Sequence, residues 1–469
     1  VYRILHNQPR VKAVSLAVDT HFCGVPILPT VDLDFCTPAE CTWVWRRGDD
    51  ATAVVVGTDR MYTPTAADAG HALTVTCTPP RSADASDDDD VIAVTTTTEP
   101  VRAGPDRSVF GPRQALGRLP VASSTHGLRL MTYNILYAKY ARADREFNRM
   151  YPYAAPGVLQ EGYRMPLVVL EVLETGADIV CFQEMGEGIC GAYFEPLLAA
   201  HGFVGHYAGK GGSTPEGTAV FARTEKFELL ETHVVKFATY LTQHMKTASP
   251  LTGFLRHYPH VVAAVAGVPS IAQVVALRSK HDGSVVLVAN THLFYRADAN
   301  IVRFVQTMLF AEIIHDLKRK LEATNHVVRL VVGGDLNARP CTSPIELLLR
   351  GCVTPAHKDW VEAPLFRWAE DYIVPSINDD DHVDTTPLNL GQPLRLHNAI
   401  ETEFTTYLRN LEFTFQDTLD YILIDPETLR VVQTFPLFSH AQVDQEQSLP
   451  STVFPSDHIS LVCDVEFAS

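Results

Sequence analysis

The polar residues best placed to do chemistry stand where apolar runs end. Val328-Arg329-Leu330-Val331-Val332-Gly333-Gly334-Asp335-Leu336-Asn337 breaks at a glycine pair and delivers a carboxylate and an amide. Two residues apart in an extended chain, Asp335 and Asn337 point to the same side. The carboxylate can take a proton or orient a water, and the amide can donate to a developing oxyanion. The same event recurs: Asn134, Glu184, His292, Asp420, Asp457 and His458 each end or follow an apolar segment. One such residue usually caps a turn. Eight of them in one region argue for a shared pocket. Carboxylate and amide oxygens suit a hard cation such as Mg2+, and imidazoles and amides suit phosphoryl oxygens.

These residues need rigid carriers. From about residue 128 strand and helix patterns alternate, the sign of a layered α/β domain. Strands are predicted over 128–134, 178–184, 284–290, 328–335, 419–424 and 459–467. A helix is predicted over 166–174, with proline in its first turn and Gly176 past its end. A second, over 300–322, repeats Ile301, Val305, Leu309, Ile313 and Leu317 on one face. A third opens at Ser343-Pro344-Ile345-Glu346 as a capping box and closes at Gly351.

Residues 1–80 read as all-β, with short β-branched and aromatic runs near 11–18, 31–35, 42–45, 53–56 and 73–77. Trp43 and Trp45 share a face, and the stretch from Tyr62 through Asp68 to Val75 resembles the corner of an immunoglobulin-like sandwich. Residues 81–127, with the acidic run Asp87 to Asp90 and four consecutive threonines, read as a partly disordered linker. Residues 128–469 then form the layered α/β domain.

The chain has 469 residues, enough for two or three domains, and a net charge of −17. That charge argues against a broadly basic nucleic-acid grip, although a local basic lining with bound Mg2+ reverses the sign at a site. Nine cysteines without a C-x-x-C pair argue for free thiols, Cys41 and Cys77 included, and against a disulfide framework. No apolar run reaches the length of a membrane span. The chain opens on Val1, which reads as a trimmed or processed start with any targeting peptide outside it.

Taken in order, Tyr133-Asn134, Gln183-Glu184, Thr291-His292-Leu293, Gly334-Asp335-Leu336-Asn337, Asp420-Tyr421 and Ser456-Asp457-His458 resemble the motif set of the exonuclease–endonuclease–phosphatase superfamily. The resemblance covers about residues 128–467. It implies a four-layered α/β sandwich, two packed mixed sheets flanked by helices, with the site at one edge. Thr291-His292-Leu293-Phe294-Tyr295 followed by Arg303 and Gln306, and Pro340 with Ser343, resemble the deadenylase branch. Val31-Asp32-Leu33-Asp34-Phe35, Trp43-Val44-Trp45, His357-Lys358-Asp359-Trp360 and the tail over 449–464 resemble members of that branch that cleave 2′,5′-linked oligoadenylate, trim poly(A) 3′ tails and reside in mitochondria. There are departures. Arg296-Ala297 stands where the branch has His-Pro beside the terminal base, Thr405-Thr406-Tyr407 lacks an amide, and Asp417-Thr418 replaces a glycine. The metal and phosphate groups are kept while the base-contacting ones change.

What the resemblance implies is metal-assisted, in-line attack of water on a phosphodiester, with one or two Mg2+ ions and Mn2+ as a substitute. Glu184 is expected to be the principal metal ligand, with Asn134 and Asp457 completing the shell. Asp335 is expected to orient or deprotonate the water, Asn337 and His292 to contact phosphate, and His458, held by Asp420, to donate to the phosphoryl oxygen. Phe415, Tyr295 and Arg303 are expected to contact substrate, Phe415 by stacking on a base. The implied substrates are the 3′ end of single-stranded RNA and 2′,5′-linked oligoadenylate. The implied compartment is the mitochondrion, otherwise the cytoplasm, with no membrane association and with the N-terminal module as a docking site for a protein partner. Two other readings compete: a phosphatase of a small-molecule phosphate, and an inactive RNA-binding scaffold. The scaffold predicts a lost ligand, and none of the eight is lost.

Overall fold

The computed structural model describes residues 7–48, 53–81, 91–121, 127–142, 148–213, 215–354, 357–359, 363, 366–368, 390–410 and 412–468. Six strands build the N-terminal module: β1 (Arg10–Ser15), β2 (Thr30–Asp34), β3 (Thr42–Arg47), β4 (Val54–Gly57), β5 (Leu73–Thr78) and β6 (Val94–Thr97). β1 pairs with β2, and a second sheet runs β4-β3-β5-β6. Alternation buries Trp43, Trp45, Leu73, Val75 and Cys77 on one face. The Tyr62 hydroxyl donates to Asp68 Oδ2 at 2.8 Å, and Arg47 pairs with the same carboxylate, so the expected corner is formed. Cys41 and Cys77 are buried free thiols.

The stretch expected to be a linker carries structure. Its threonines alternate as β6, where Thr95 and Thr97 meet the hydroxyls of Thr76 and Thr74 across the pair. β-branched residues favour a strand once a partner is present, whatever their low complexity suggests. Helix α1 (Gly111–Gly117) follows, and its Arg113 reaches Glu171 and Ser460 in the catalytic domain. The acidic run lies outside the described residues.

The catalytic domain orders β7 (Gly127–Asn134), α2 (Glu161–Thr175), β8 (Ile179–Gly186), β9 (Phe203–Gly209), β10 (Glu216–Arg223), β11 (Phe227–Lys236), β12 (Ile271–Ser279), β13 (Val285–His292), α3 (Asn300–Glu322), β14 (Val328–Asp335), α4 (Ser343–Arg350), β15 (His397–Asn398), β16 (Thr406–Arg409), β17 (Thr414–Asp417), β18 (Asp420–Ile424), β19 (Leu429–Thr434) and β20 (Leu461–Phe467). One sheet runs β19-β20-β7-β8-β10-β9 and the other β11-β12-β13-β14-β18-β15. The ladders β7–β8 and β13–β14 are parallel, which makes both sheets mixed.

Strand parity sorts the layers. Leu128 and Leu130 of β7 meet Val286 and Val288 of β13 between the sheets. Met131 and Tyr133 turn outward to Val168 and Val172 of α2, while Leu287 and Ala289 turn outward to Val302, Val305 and Leu309 of α3. The result is helix, sheet, sheet, helix, as expected. Among the described residues no helix is long and apolar enough to cross a membrane.

Two local expectations fail. Helix α2 begins at Glu161, five residues before the predicted start, with Pro166 inside it. A proline near the helix start removes one hydrogen bond without ending the helix. The capping box at Ser343 is not formed either. Thr342 is the cap residue, and the Ser343 amide and hydroxyl both donate to Asp359 Oδ2, at 2.8 and 2.7 Å. Asp359, in the motif whose Trp360 lies outside the described residues, thus does the work assigned to Glu346.

Candidate active site

Register brings three site residues into one row. His292 lies opposite Asp335 in the parallel β13–β14 ladder, and Asp335 lies opposite Asp420 in the antiparallel β14–β18 ladder. By parity all three belong to the inner face of their sheet, as Asn134 does in the other. Gly334 makes the row possible. A Cβ there would lie 2.4 Å from the Thr291 carbonyl on the neighbouring strand.

Glu184 needs a different device. Plain alternation would send it outward with Phe182. Instead β8 carries a bulge: Gly217 pairs with Met185 and Thr218 with Gln183, leaving Glu184 as the extra residue, with φ at 57°. A bulge re-aims a side chain, and a non-glycine residue held at positive φ marks strain kept for a purpose. Asn337 shares this conformation, with φ at 47°.

The side chains interlock. Asn134 Nδ2 donates to Glu184 Oε1 and to Asp335 Oδ2, each at 3.0 Å, while its Oδ1 accepts the Leu136 amide. Asn134, expected to be a metal ligand, therefore ties two carboxylates together, its oxygen already engaged by backbone. Asp335 Oδ1 accepts the Asn337 amide at 2.8 Å, and the Asn337 side chain donates to the Leu293 carbonyl. His458 Nδ1 donates to Asp420 Oδ2 at 2.7 Å, and the Thr405 hydroxyl donates to the same oxygen at 2.6 Å. Tyr151 donates to Asp457 Oδ2 at 2.8 Å. His292 Nδ1 lies 2.8 Å from Lys210 Nζ, which in turn lies 2.8 Å from Glu216 Oε1.

Burial and neighbouring charge separate the titrations. Burial, then Asp457 and Glu216, push the Glu184 carboxyl up to about 7. Burial and Asp420 push Asp335 up to about 6, against the pull of His458. His458 is raised well above the ordinary imidazole value because Asp420 and Asp335 outweigh its burial. His292 is lowered well below it by burial, then by Lys210 and His458.

Glu184, His292, Asp335, Asn337, Asp457 and His458 all line one cleft of about 1290 Å3, whose rim includes Tyr140, Tyr295, Trp368 and Phe415. Tyr295 is 74% exposed there, and Phe415 is half-buried. Arg303 does not belong to this group. It is buried and donates to the carbonyls of Phe294, Arg296 and Ala297, so it fixes a loop and is not free for substrate. Arg296, at a departure from the family pattern, forks onto Asp298 at 3.0 and 2.6 Å. Thr405, at another, supports Asp420.

The donor set fits a divalent cation. Glu184 and Asp457 repel across the cleft floor, and oxygen-rich carboxylates are what a hard cation takes. Asp335, Asp420 and His458 form a second compact group, with one ligand atom each within 4.8 Å of one another. That group bonds internally through Asp420 and His458, while Glu184 accepts from Asn134 and the Tyr137 amide and Asp457 from Tyr151. Sequence reading missed Lys210, Glu216 and Tyr151. The one available signal was the Gly209-Lys210-Gly211-Gly212 turn opposite Glu216, which joins no family motif quoted above.

Residues 131–458 match the Endonuclease/Exonuclease/phosphatase family. Over 99% of its length the chain is 29% identical to 2′,5′-phosphodiesterase 12 of Mus musculus, 75% of which it covers, and 28% identical to that of Homo sapiens, with 74% covered. Among solved structures it is similar to ANGEL2, a 2′,3′-cyclic phosphatase in complex with adenosine-2′,3′-vanadate. The TM-score is 0.56 and the identity 19%, covering 73% of this chain and 96% of that one, a likeness of fold. With its ordered motifs converging on one cleft and its match to the family spanning most of the catalytic domain, the chain belongs to the endonuclease/exonuclease/phosphatase family and is a hydrolase acting on phosphodiester bonds.

Proposed function

We propose that this chain is a Mg2+-dependent phosphodiesterase that trims RNA from the 3′ end and cleaves 2′,5′-linked oligoadenylate. The observation that carries the reading is the single cleft in which Glu184 and Asp457 face Asp335, two imidazoles and an aromatic rim. The names of the mouse and human relatives support the 2′,5′ linkage.

Glu184 and Asp457 would hold the cation, which supplies positive charge to the phosphoryl oxygens. Asp335, with its carboxyl raised to about 6, orients the attacking water and accepts its proton near neutral pH. His458, kept charged by Asp420, donates to the phosphoryl oxygen as negative charge develops. His292 and Asn337 hold the remaining oxygens. Phe415 and Tyr295 take bases by stacking, worth about 1–3 kcal/mol per base. The resemblance to mitochondrial members supports that compartment, and the N-terminal module is read as a docking unit for a protein partner.

The test is product analysis on oligo(A), oligo(U), 2′,5′-linked oligoadenylate and an inositol phosphate, with Mg2+, with Mn2+ and with EDTA. Stepwise loss of 3′ nucleotides or cleavage of the 2′,5′ linkage, abolished by EDTA, is expected. Hydrolysis of the inositol phosphate alone would overturn the reading.

A further inference from the structure

The hairpin β9–β10 opens beside the cleft. Beyond the last paired residues Lys210 and Glu216 still face each other, and the Lys210 amide donates to the Glu216 carbonyl at 3.1 Å. Lys210 is 9% exposed and Glu216 3%. A buried ammonium needs a counter-charge and acceptors for its protons. Glu216 Oε1 supplies the charge at 2.8 Å. A further acceptor is His292 Nδ1, also at 2.8 Å.

An ammonium has protons to give and no lone pair. A contact of 2.8 Å therefore requires Nδ1 of His292 to carry the lone pair. The proton of the neutral ring then sits on Nε2, the nitrogen that faces Asp335 Oδ2 at 3.6 Å. The other imidazole is set the opposite way. A carboxylate takes the Nδ1 proton of His458, and its Nε2 lies 3.8 Å from the same Asp335 oxygen. Two histidines thus flank one carboxylate oxygen, one governed by a cation and one by an anion.

We propose that Lys210, anchored by Glu216, is a positioning residue for the hydrolysis: it holds His292 as the neutral Nε2–H tautomer, so that the ring presents a donor to the phosphoryl group beside Asp335. The proposal rests on reading the cleft as a phosphodiesterase site. Lys210 lines the cleft, and its role here is exerted through His292. Without it, the ring is free to move its proton to Nδ1, which would turn a lone pair toward the phosphate. It is also free to take a second proton and pair with Asp335, which would occupy the base.

The experiment labels histidine with 15N and reads both ring nitrogens of His292, assigned by their loss in His292→Gln. The wild-type protein is expected to show a protonated Nε2 and a bare Nδ1. Lys210→Met is expected to lose that pattern and to lower kcat about 10- to 100-fold with KM within about twofold, as for other supporting-residue losses. Lys210→Arg, which keeps a donor, is expected to restore both. Lys210→Met/Glu216→Gln repeats the test without a stranded carboxylate, should the single variant fold poorly. An unchanged His292 tautomer in Lys210→Met overturns the proposal, as does a raised KM with kcat kept, which marks a direct phosphate contact. Failure of the parent reading looks different: the wild-type protein would cleave no phosphodiester while its His292 spectrum still reported on Lys210.

Discussion

Asp420→Asn is the most informative single change. Asp420 is buried below the cleft and does not line it, so substrate does not meet it. Its Oδ2 accepts from His458 Nδ1 at 2.7 Å and from Thr405 at 2.6 Å, while Oδ1 has no partner among the described residues. Asparagine keeps one oxygen, removes the charge and adds two donor protons. The bond to His458 falls from the charge-assisted class, about 1.5–3 kcal/mol, to about 1 kcal/mol. The larger loss is the imidazolium, which the carboxylate sustains. Losing an oriented acid costs about 10²- to 10⁴-fold, or about 2.7–5.5 kcal/mol at 1.36 kcal/mol per decade. The fold should not suffer, because a buried carboxylate oxygen without a partner is itself unfavourable. Single-turnover rates on 2′,5′-linked oligoadenylate should fall by that factor, with KM little changed and the melting temperature equal or higher. Thr405→Val, which removes a neutral donor to the same oxygen, should cost about tenfold or less. A rate for Asp420→Asn within threefold of wild type would refute the role given to His458.

Three further outcomes follow from other parts of the molecule. Glu184→Gln should weaken Mn2+ binding, read directly by electron paramagnetic resonance, while β8 keeps its bulge and the protein its melting temperature; unchanged Mn2+ affinity would remove Glu184 from the metal site. His21 is buried with neither ring nitrogen partnered among the described residues, and burial holds its pKa down at about 4 against 6.5 when unfolded. The unfolded chain therefore binds the proton first. The stability the neutral ring contributes is whole above about pH 6.5 and is lost as pH falls toward 4, about 3 kcal/mol in all. His21→Phe should flatten that acid slope in urea titrations, and an unaltered slope would disprove it. Arg164 is buried and donates to the carbonyls of Leu159, Ile135, Leu136 and Pro455 at 2.8–3.0 Å. Arg164→Met should destabilise by about 3 kcal/mol or more, since each stranded carbonyl costs about 1–3 kcal/mol; a loss under 1 kcal/mol would show that water replaces it.

What could be read in advance was what lies close in sequence or repeats. Helix α3 was legible to the residue because its apolar stripe is long, and the ends of β7 and β14 because each apolar run stops at a polar group, while β13 runs two residues past its predicted end to His292. Those ends were also the site: six of the eight motif residues line the cleft, and Asn134 and Asp420 bond to them. Asn134 also ends its strand where expected, and the structure adds that its two amide protons bridge Glu184 and Asp335. Arg303 looked available in a string of letters, yet the carbonyls that consume it come from a loop folded back over α3. Threonines over 95–98 read as linker because a strand on an edge depends on its neighbour, β5, and composition does not record neighbours.

Neither sheet carries the chemistry alone. The sheet of β7 and β8 supplies Asn134 and Glu184. The sheet of β13, β14 and β18 supplies Asp335 and Asp420, together with His292. Packed sheets in contact through leucine and valine can slide by small steps at little cost, because apolar contact is not directional. Here the interface near the site is polar. Gln183 Nε2 donates to Asn290 Oδ1 at 2.8 Å and to Thr132 at 3.0 Å, and Asn290 Nδ2 donates to the Phe182 carbonyl. Such buried bonds are satisfied in one alignment only, and stranding them costs more than making them gains. Asn134 extends the same seam into the cleft by bonding Glu184 and Asp335 at once. The register between the sheets is therefore set by amides one residue from Glu184 and two from His292, which is where an error in alignment would matter most.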